Sequence, residues 1–293
     1  MCLKLGFIGA GRVGSSVGKL FSECDIEIIG YFSKSYDSAL FAADLTKSRA
    51  FQNKKELLAE CDVIFLTVPD GQISLVWDEI KKNVRGKTVC HMSGALSAKE
   101  AFPEYSDYGA KTCSVHPLIA VSDRNNSYRD MKKACFTVEG SAADDIKALF
   151  ERAGCKVISI ESAAKPAYHA AAAMASNLMI SLLSLSCETL EACGFTEHDA
   201  LLSLVPLVKL NIDNIFSKGF TESLTGPLER GDIETIKKHL NALSSDAKEA
   251  YIILSRHLLD TARAKNRGRD YGEIAALLER NVDPNEKHNI DLC

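Results

Sequence analysis

The chain has 293 residues, 46% hydrophobic and 25% charged. That length can bury one large core or two ordinary ones, and that balance excludes a disordered chain. With 35 Lys and Arg against 39 Asp and Glu, the net charge is -4, which gives no electrostatic basis for binding nucleic acid or an anionic membrane surface.

The first strand-like run, residues 3–9 (LKLGFIG), is short, apolar and closed by glycine. It begins almost at Met1, so no secretory leader is expected and a cytoplasmic location is. Helical periodicity follows through Phe21, then a strand at 26–32 and a helix-like stretch containing DSALFAADL. Residues 62–68 (DVIFLTV) are almost uniformly apolar, as suits a parallel strand covered on both faces. A helix-like segment from Gly71 and strands at 87–94, 110–118, 134–140 and 156–161 complete the alternation. The pattern predicts an α/β Rossmann-type domain with a doubly wound, mostly parallel sheet over residues 1–162.

Beyond residue 162 the strand signals stop, and 163–293 reads as an all-α domain with breaks near Gly194, Pro206, Gly219, residues 225–227 and Gly231. Asp232 is placed to cap the helix IETIKKHL. Residues 281–293 read as a tail without chemistry. Ten cysteines include no CxxC pair, so reduced thiols are expected, with neither a disulfide framework nor a metal site.

The first chemistry-bearing motif is GFIGAGRVG, with Gly9, Ala10, Gly11, Arg12, Val13 and Gly14 in a GxGxxG frame between a strand and a helix. Gly9 permits the tight turn, Gly11 lets backbone approach a pyrophosphate, and Gly14 allows close helix–strand packing. The phosphates then rest on the positive end of the helix. The second strand ends in Ser33, Lys34 and Ser35, where an NAD-binding fold would place a carboxylate. Two hydroxyls and a cation suit a 2′-phosphate instead, so NADP is expected over NAD.

Thr67, Val68 and Pro69 end the strand at 62–68 and are expected along the cofactor, with Asp70 capping the next helix or, as the alternative, contacting the cofactor. Ser93 and His116 stand at two further strand ends facing the same crevice, as candidate substrate contacts.

Between Lys165 and Glu188 there is no charged residue, so a long buried helix is expected, and a membrane span is set aside because His169, Asn177 and several serines interrupt it. At about 100° per residue, Lys165, His169, Ala172 and Ser176 share one stripe. Pro166 puts Lys165 at the helix start.

The segments GFIGAGRVG, DVIFLTVPD, SGALSA, SVHPL, KPAYHAAAAMASN and LTGPLERGD together resemble a family of Rossmann-like oxidoreductases with a helical carboxyl-terminal domain. Its relatives are pyrroline-5-carboxylate reductase, 6-phosphogluconate-type dehydrogenases and ketopantoate reductase. The resemblance covers nearly the whole chain and implies an NADPH-dependent reductase of a small carboxylate, with reduction of ketopantoate to pantoate as the leading specific activity. It implies a catalytic lysine at Lys165. Four residues on, better-understood ketopantoate reductases carry asparagine, whereas this chain has His169. The proton donor is therefore Lys165 or His169, with Ser93 and His116 holding the substrate from the sheet side and Asn177 as a further candidate contact. A homodimer through the helical domain is expected, with Arg230 reaching substrate across it as one option. SVHPL also resembles the His-Pro element of prephenate and arogenate dehydrogenases. A pyrroline-type imine reductase and a non-catalytic NADP-binding redox sensor are the remaining alternatives.

Overall fold

Short apolar runs bounded by glycines and polar caps become the strands of one sheet. The computed structural model describes residues 3–281 except 122 and 125. In chain order the first elements are β1 (Leu5–Ile8), α1 (Arg12–Ser22), β2 (Ile28–Phe32), α2 (Tyr36–Thr46), β3 (Arg49–Phe51), α3 (Lys54–Glu60), β4 (Val63–Leu66) and α4 (Asp70–Ile80). They are followed by β5 (Thr88–His91), α5 (Ala98–Ala101), β6 (Lys111–Pro117), α6 (Ser127–Met131), β7 (Cys135–Glu139), α7 (Ala143–Arg152), β8 (Lys156–Ser159) and α8 (Lys165–Ala175).

The eight strands lie in the order β3-β2-β1-β4-β5-β6-β7-β8. All neighbours are parallel except β6 and β7. The expected doubly wound, mostly parallel sheet is therefore present. The sequence reading passed over β3, whose three residues carry no apolar run.

Every residue of β1 and β4 is buried, because helices cover both faces of the sheet centre. One face is filled by Phe7, Phe21, Tyr31, Phe65, Phe136 and Phe150, the other by Leu57, Ile73, Trp77, Val89 and Phe102. Each such side chain contributes about 1.5–3 kcal/mol by leaving water. Strand order reverses between β2 and β4 on either side of β1, and a crevice opens there beyond the carboxyl ends of the strands.

The chain divides into two compact units, residues 1–176 and 177–293. Strand signals end near residue 162, but the first unit continues through α8. The expected single helix from Lys165 breaks at Ser176, where φ is -120° and ψ is -80°. The Ser176 hydroxyl donates to the Ala172 carbonyl at 2.7 Å, the local competition with the helix that serine offers. The stripe read from helical spacing consequently stops at Ala172, and Ser176 falls outside it.

The second unit comprises α9 (Asn177–Ala192), α10 (Glu197–Ser223), α11 (Pro227–Arg230), α12 (Ile233–Ala242), α13 (Ser245–Lys265) and α14 (Gly272–Arg280). Leu228, Ile236, Leu240, Leu259, Tyr271 and Leu278 form its core. Asp232 caps α12 as expected, accepting the Thr235 N–H at 3.0 Å. Pro206 does not break the chain as anticipated; α10 runs through it and bends at Gly219, where φ is +81°.

The expectation of a buried 165–188 helix is corrected. Lys165 alone is buried in α8, and no residue of α9 is. Met174, Leu178 and Ile180 are exposed, as are Leu210, Phe216 and Phe220 of α10. Apolar composition selects for burial but does not say which surface provides it. Residues 162–192 and 197–230 are each long and apolar enough to cross a membrane, by length and composition only, and little of either is buried. The tail expected at 281–293 lies outside the described residues beyond Asn281.

Candidate functional site

The glycine motif folds as its spacing requires. Gly9 sits at φ +107°, and a side chain there would strike the Thr67 carbonyl oxygen. A Cβ on Gly14 would come within 2.4 Å of Thr67 Oγ1, the hydroxyl that donates to the Gly9 carbonyl at 2.6 Å. Gly11, by contrast, caps α1 and faces open space. The first turn of α1 carries no acidic residue, so nothing there opposes a phosphate at the helix end.

Gly9, Ala10, Gly11, Ser33, Lys34, Thr67, Val68 and Pro69 line one crevice of about 660 Å³. Arg12, Val13 and Gly14 form the first turn of α1 beside it. Ser35 is placed differently: its hydroxyl caps α2 by accepting the Ser38 N–H. Lys54 and Gln72 also line the crevice and went unread in the sequence. Lys54 pairs with Glu79 and lies 5.2 Å over the Phe32 ring. The open glycine cradle and the cation Lys34 at the end of β2 fit a dinucleotide carrying a 2′-phosphate.

Beyond the crevice a second group of side chains gathers at the ends of β5 and β6. Asp70 does not cap α4, as the sequence suggested; its Oδ2 accepts the Ser93 hydroxyl at 2.7 Å. That hydroxyl also accepts the N–H groups of Ala95 and Leu96, so Ser93 builds the turn after β5. The turn brings Gly94 under two imidazoles. A Cβ at Gly94 would lie 2.5 Å from His169 Nδ1 and 2.8 Å from His116 Nε2. The two rings stand 5.9 Å apart, and His116 Nδ1 is 2.8 Å from the Tyr168 hydroxyl.

Lys165 lies behind this surface. It is 1% exposed, and its Nζ donates to the Ser93 carbonyl at 3.0 Å and to Ser114 Oγ at 2.5 Å. Burial lowers its pKa, while Glu139 pulls it back up. Glu139 is itself buried, accepting the Ala98 N–H at 2.6 Å and the Ser162 hydroxyl. The buried cation acts on its neighbours. His116 is pushed down to about 4, first by burial and then by Lys165 and His169. His91, fully buried at the end of β5, is pushed down to about 3 by burial and Lys165. Both rings are neutral at pH 7. His91 Nδ1 accepts the Ser93 N–H at 3.2 Å, while its Nε2 is buried without a hydrogen-bond partner among the described residues.

Of the expected catalytic set, Ser93, His116, Lys165 and His169 thus come together within the first unit. Asn177 opens α9 in the second unit. The sequence reading missed Asp70 as a Ser93 partner, and His91, Ser114, Glu139 and Tyr168 altogether. Two spacings carried the missing signal: Ser114 and His116 share a strand face at i, i+2, and Lys165, Tyr168 and His169 share a helix face at i, i+3, i+4.

Residues 4–93 match the family described as NADP oxidoreductase, coenzyme F420-dependent. NADP, the expected cofactor, is named in that family's description together with coenzyme F420. Residues 134–258 match a domain of unknown function, DUF2520. Among curated proteins there is no match. The fold is that of protein TM1727 from Thermotoga maritima, at 27% identity and a TM-score of 0.73, over 90% of this chain and all of that one. It is also similar to a pyrroline carboxylate reductase of Plasmodium falciparum with NADP bound, at 15% identity and a TM-score of 0.55, over 91% of this chain and 98% of that one. An imine reductase from Pseudomonas sp. matches at 13% identity and a TM-score of 0.59, over 90% of this chain and 98% of that one. The match to an NADP oxidoreductase family thus covers the amino-terminal segment in sequence, and over nearly the whole chain the likeness is one of fold.

Proposed function

We propose that this protein is an NADPH-dependent reductase of a small 2-oxo acid, with ketopantoate to pantoate as the leading case. The observation that carries the reading is the convergence of two imidazole nitrogens over Gly94, whose neighbour Ser93 bonds to Asp70, the residue next to Pro69 of the glycine-lined crevice. Bound NADPH supplies the hydride. As a carbonyl carbon accepts it, the oxygen gains charge and needs a positioned donor. His116, kept neutral, donates a hydrogen bond; His169, exposed to solvent, delivers the proton. Lys165 acts from behind, with its Nζ turned onto Ser93 and Ser114, so it shapes the pocket and adds to the burial that keeps His116 neutral.

A second reading, reduction of a C=N bond, is favoured by the depressed pKa of His116. An iminium ion already carries its proton and asks no acid of the enzyme.

The test is NADPH oxidation by purified protein with ketopantoate, 2-oxoisovalerate and a cyclic imine carboxylate, NADH serving as the comparison. Turnover of a 2-oxo acid with NADPH supports the proposal. Turnover of the imine alone moves the assignment to C=N reduction, and tight NADPH binding with no turnover sinks both in favour of a cofactor sensor.

The exposed apolar faces of α9 and α10 are best explained by a second copy of the chain. Phe216 is 87% exposed and Ile180 69%, which a lone soluble chain rarely sustains over so broad a patch. A homodimer by light scattering that Phe216→Glu converts to monomer supports this, whereas recovery only in a detergent or vesicle fraction points to a bilayer. A cytoplasmic setting belongs to the same proposal.

A further inference from the structure

Tyr168 has no part in the reading above, and its geometry decides what His116 can recognise. On α8, Tyr168 and His169 flank Lys165 at about 60° and 40° to either side, so the first turn presents all three toward the ends of β5 and β6. The Lys165 hydrogen bonds to Ser93 and Ser114 anchor that turn. The Tyr168 hydroxyl then stands 2.8 Å from His116 Nδ1, with the two rings nearly perpendicular at 84°.

One proton occupies that contact, and the Thr137 hydroxyl, the other partner of the Tyr168 phenol, acts in the sense of a donor to the phenol oxygen and leaves the phenolic proton to His116. A phenol is the stronger acid of the pair and an imidazole nitrogen the better acceptor, so the bond runs O–H to Nδ1. The ring proton of neutral His116 is then on Nε2, the atom facing the space over Gly94. Lys165 and His169 oppose a second proton on this ring, Asp70 favours one weakly, and His91 is the remaining titratable neighbour. A donor at this point matches the lone pairs of a carbonyl oxygen. It repels the N–H of an iminium ion, which needs an acceptor and would leave two donors facing each other.

We infer that Tyr168 is a positioning residue that fixes His116 as an Nε2–H donor and thereby selects a carbonyl over an iminium substrate. This rests on the NADPH-reductase reading for its kinetic consequence but not for the tautomer itself. The experiment has two arms. Nitrogen-15 NMR of histidine-labelled protein at pH 7, with His116 assigned by difference from a His116→Asn variant, reads which ring nitrogen bears the proton. The expected result is Nε2–H in the wild type and a mixture of tautomers in Tyr168→Phe. Nδ1–H in the wild type, or an unchanged spectrum in the variant, overturns the inference.

The second arm compares kcat and KM for a 2-oxo acid and a cyclic iminium substrate. Tyr168→Phe is expected to lower kcat for the 2-oxo acid at least tenfold and to narrow its advantage over the iminium by the same factor. KM and the NADPH Kd should stay within about twofold. Equal losses on both substrates would mark Tyr168 as merely structural and overturn the selection. No turnover of either substrate fails the reductase reading, with the tautomer still decided by the first arm.

Discussion

The buried histidine at the end of β5 makes stability depend on acid in a way that one substitution should remove. His91 has a folded-state pKa of about 3, against roughly 6.5 for an unfolded chain. The folded pKa is depressed, so between pH 6.5 and 3 the unfolded state binds more protons, and stability falls as pH falls through that window. From pH 7 to pH 5 the two pKa values give a loss of about 2 kcal/mol from this ring alone. His91→Asn keeps an acceptor where Nδ1 receives the Ser93 N–H but cannot titrate. The variant should be less stable at pH 7, having lost ring volume from a packed site. Its decline from pH 7 to pH 5 should nonetheless be shallower than the wild type's by about 2 kcal/mol. Urea unfolding followed by the fluorescence of Trp77 reads this directly, because Trp77 is the sole tryptophan and packs on Phe102, which in turn packs on His91. His116 titrates in the same sense and contributes to both proteins alike, so it cancels in the difference. Parallel declines, equal within a few tenths of a kcal/mol, would refute the reasoning.

Further expectations follow from neighbouring contacts. Lys165→Met leaves the Ser93 carbonyl and Ser114 hydroxyl without their cationic partner. The Ser114 hydroxyl still donates to the Ser93 carbonyl, so the cost should be roughly 1–3 kcal/mol for Ser114 Oγ losing its donor, and the His116 pKa should rise in an NMR titration because the lysine charge that helps to lower it is gone. Gly94→Ala pushes a methyl into the space between His116 and His169; turnover should collapse while the NADPH Kd, by fluorescence titration, stays unchanged. Lys34→Ala should weaken NADPH binding about tenfold, roughly 1.4 kcal/mol, and leave NADH unaffected, since only NADPH carries the 2′-phosphate that we propose Lys34 holds. Equal weakening of both cofactors would remove Lys34 from the 2′-phosphate site.

Much of the amino-terminal unit was legible because its signals are local. A glycine frame between strand and helix marks a tight turn with open space at Gly11, and the apolar runs at 3–9 and 62–68 became the fully buried β1 and β4. Ser33 and Lys34 could be placed on the crevice for the same reason. Ser35 could not, since capping and ligand binding ask the same chemistry of a serine. Asp70 failed in a similar way: a carboxylate opening a helix reads as a cap until Ser93 is seen to donate to it.

The sequence by itself determined the strand and helix alternation, the glycine turn between β1 and α1 and the presence of a lysine–histidine pair on one helix turn, because each depends on local spacing. Tertiary structure decided which way those groups face. Lys165 turns inward because β5 and β6 bring Ser93 and Ser114, 72 and 51 residues away, to its ammonium. His116 meets Tyr168 across 52 residues, and the apolar helices after Ser176 emerge exposed rather than buried. Periodicity reports how side chains sort around one axis; it holds no record of which distant backbone arrives to meet them.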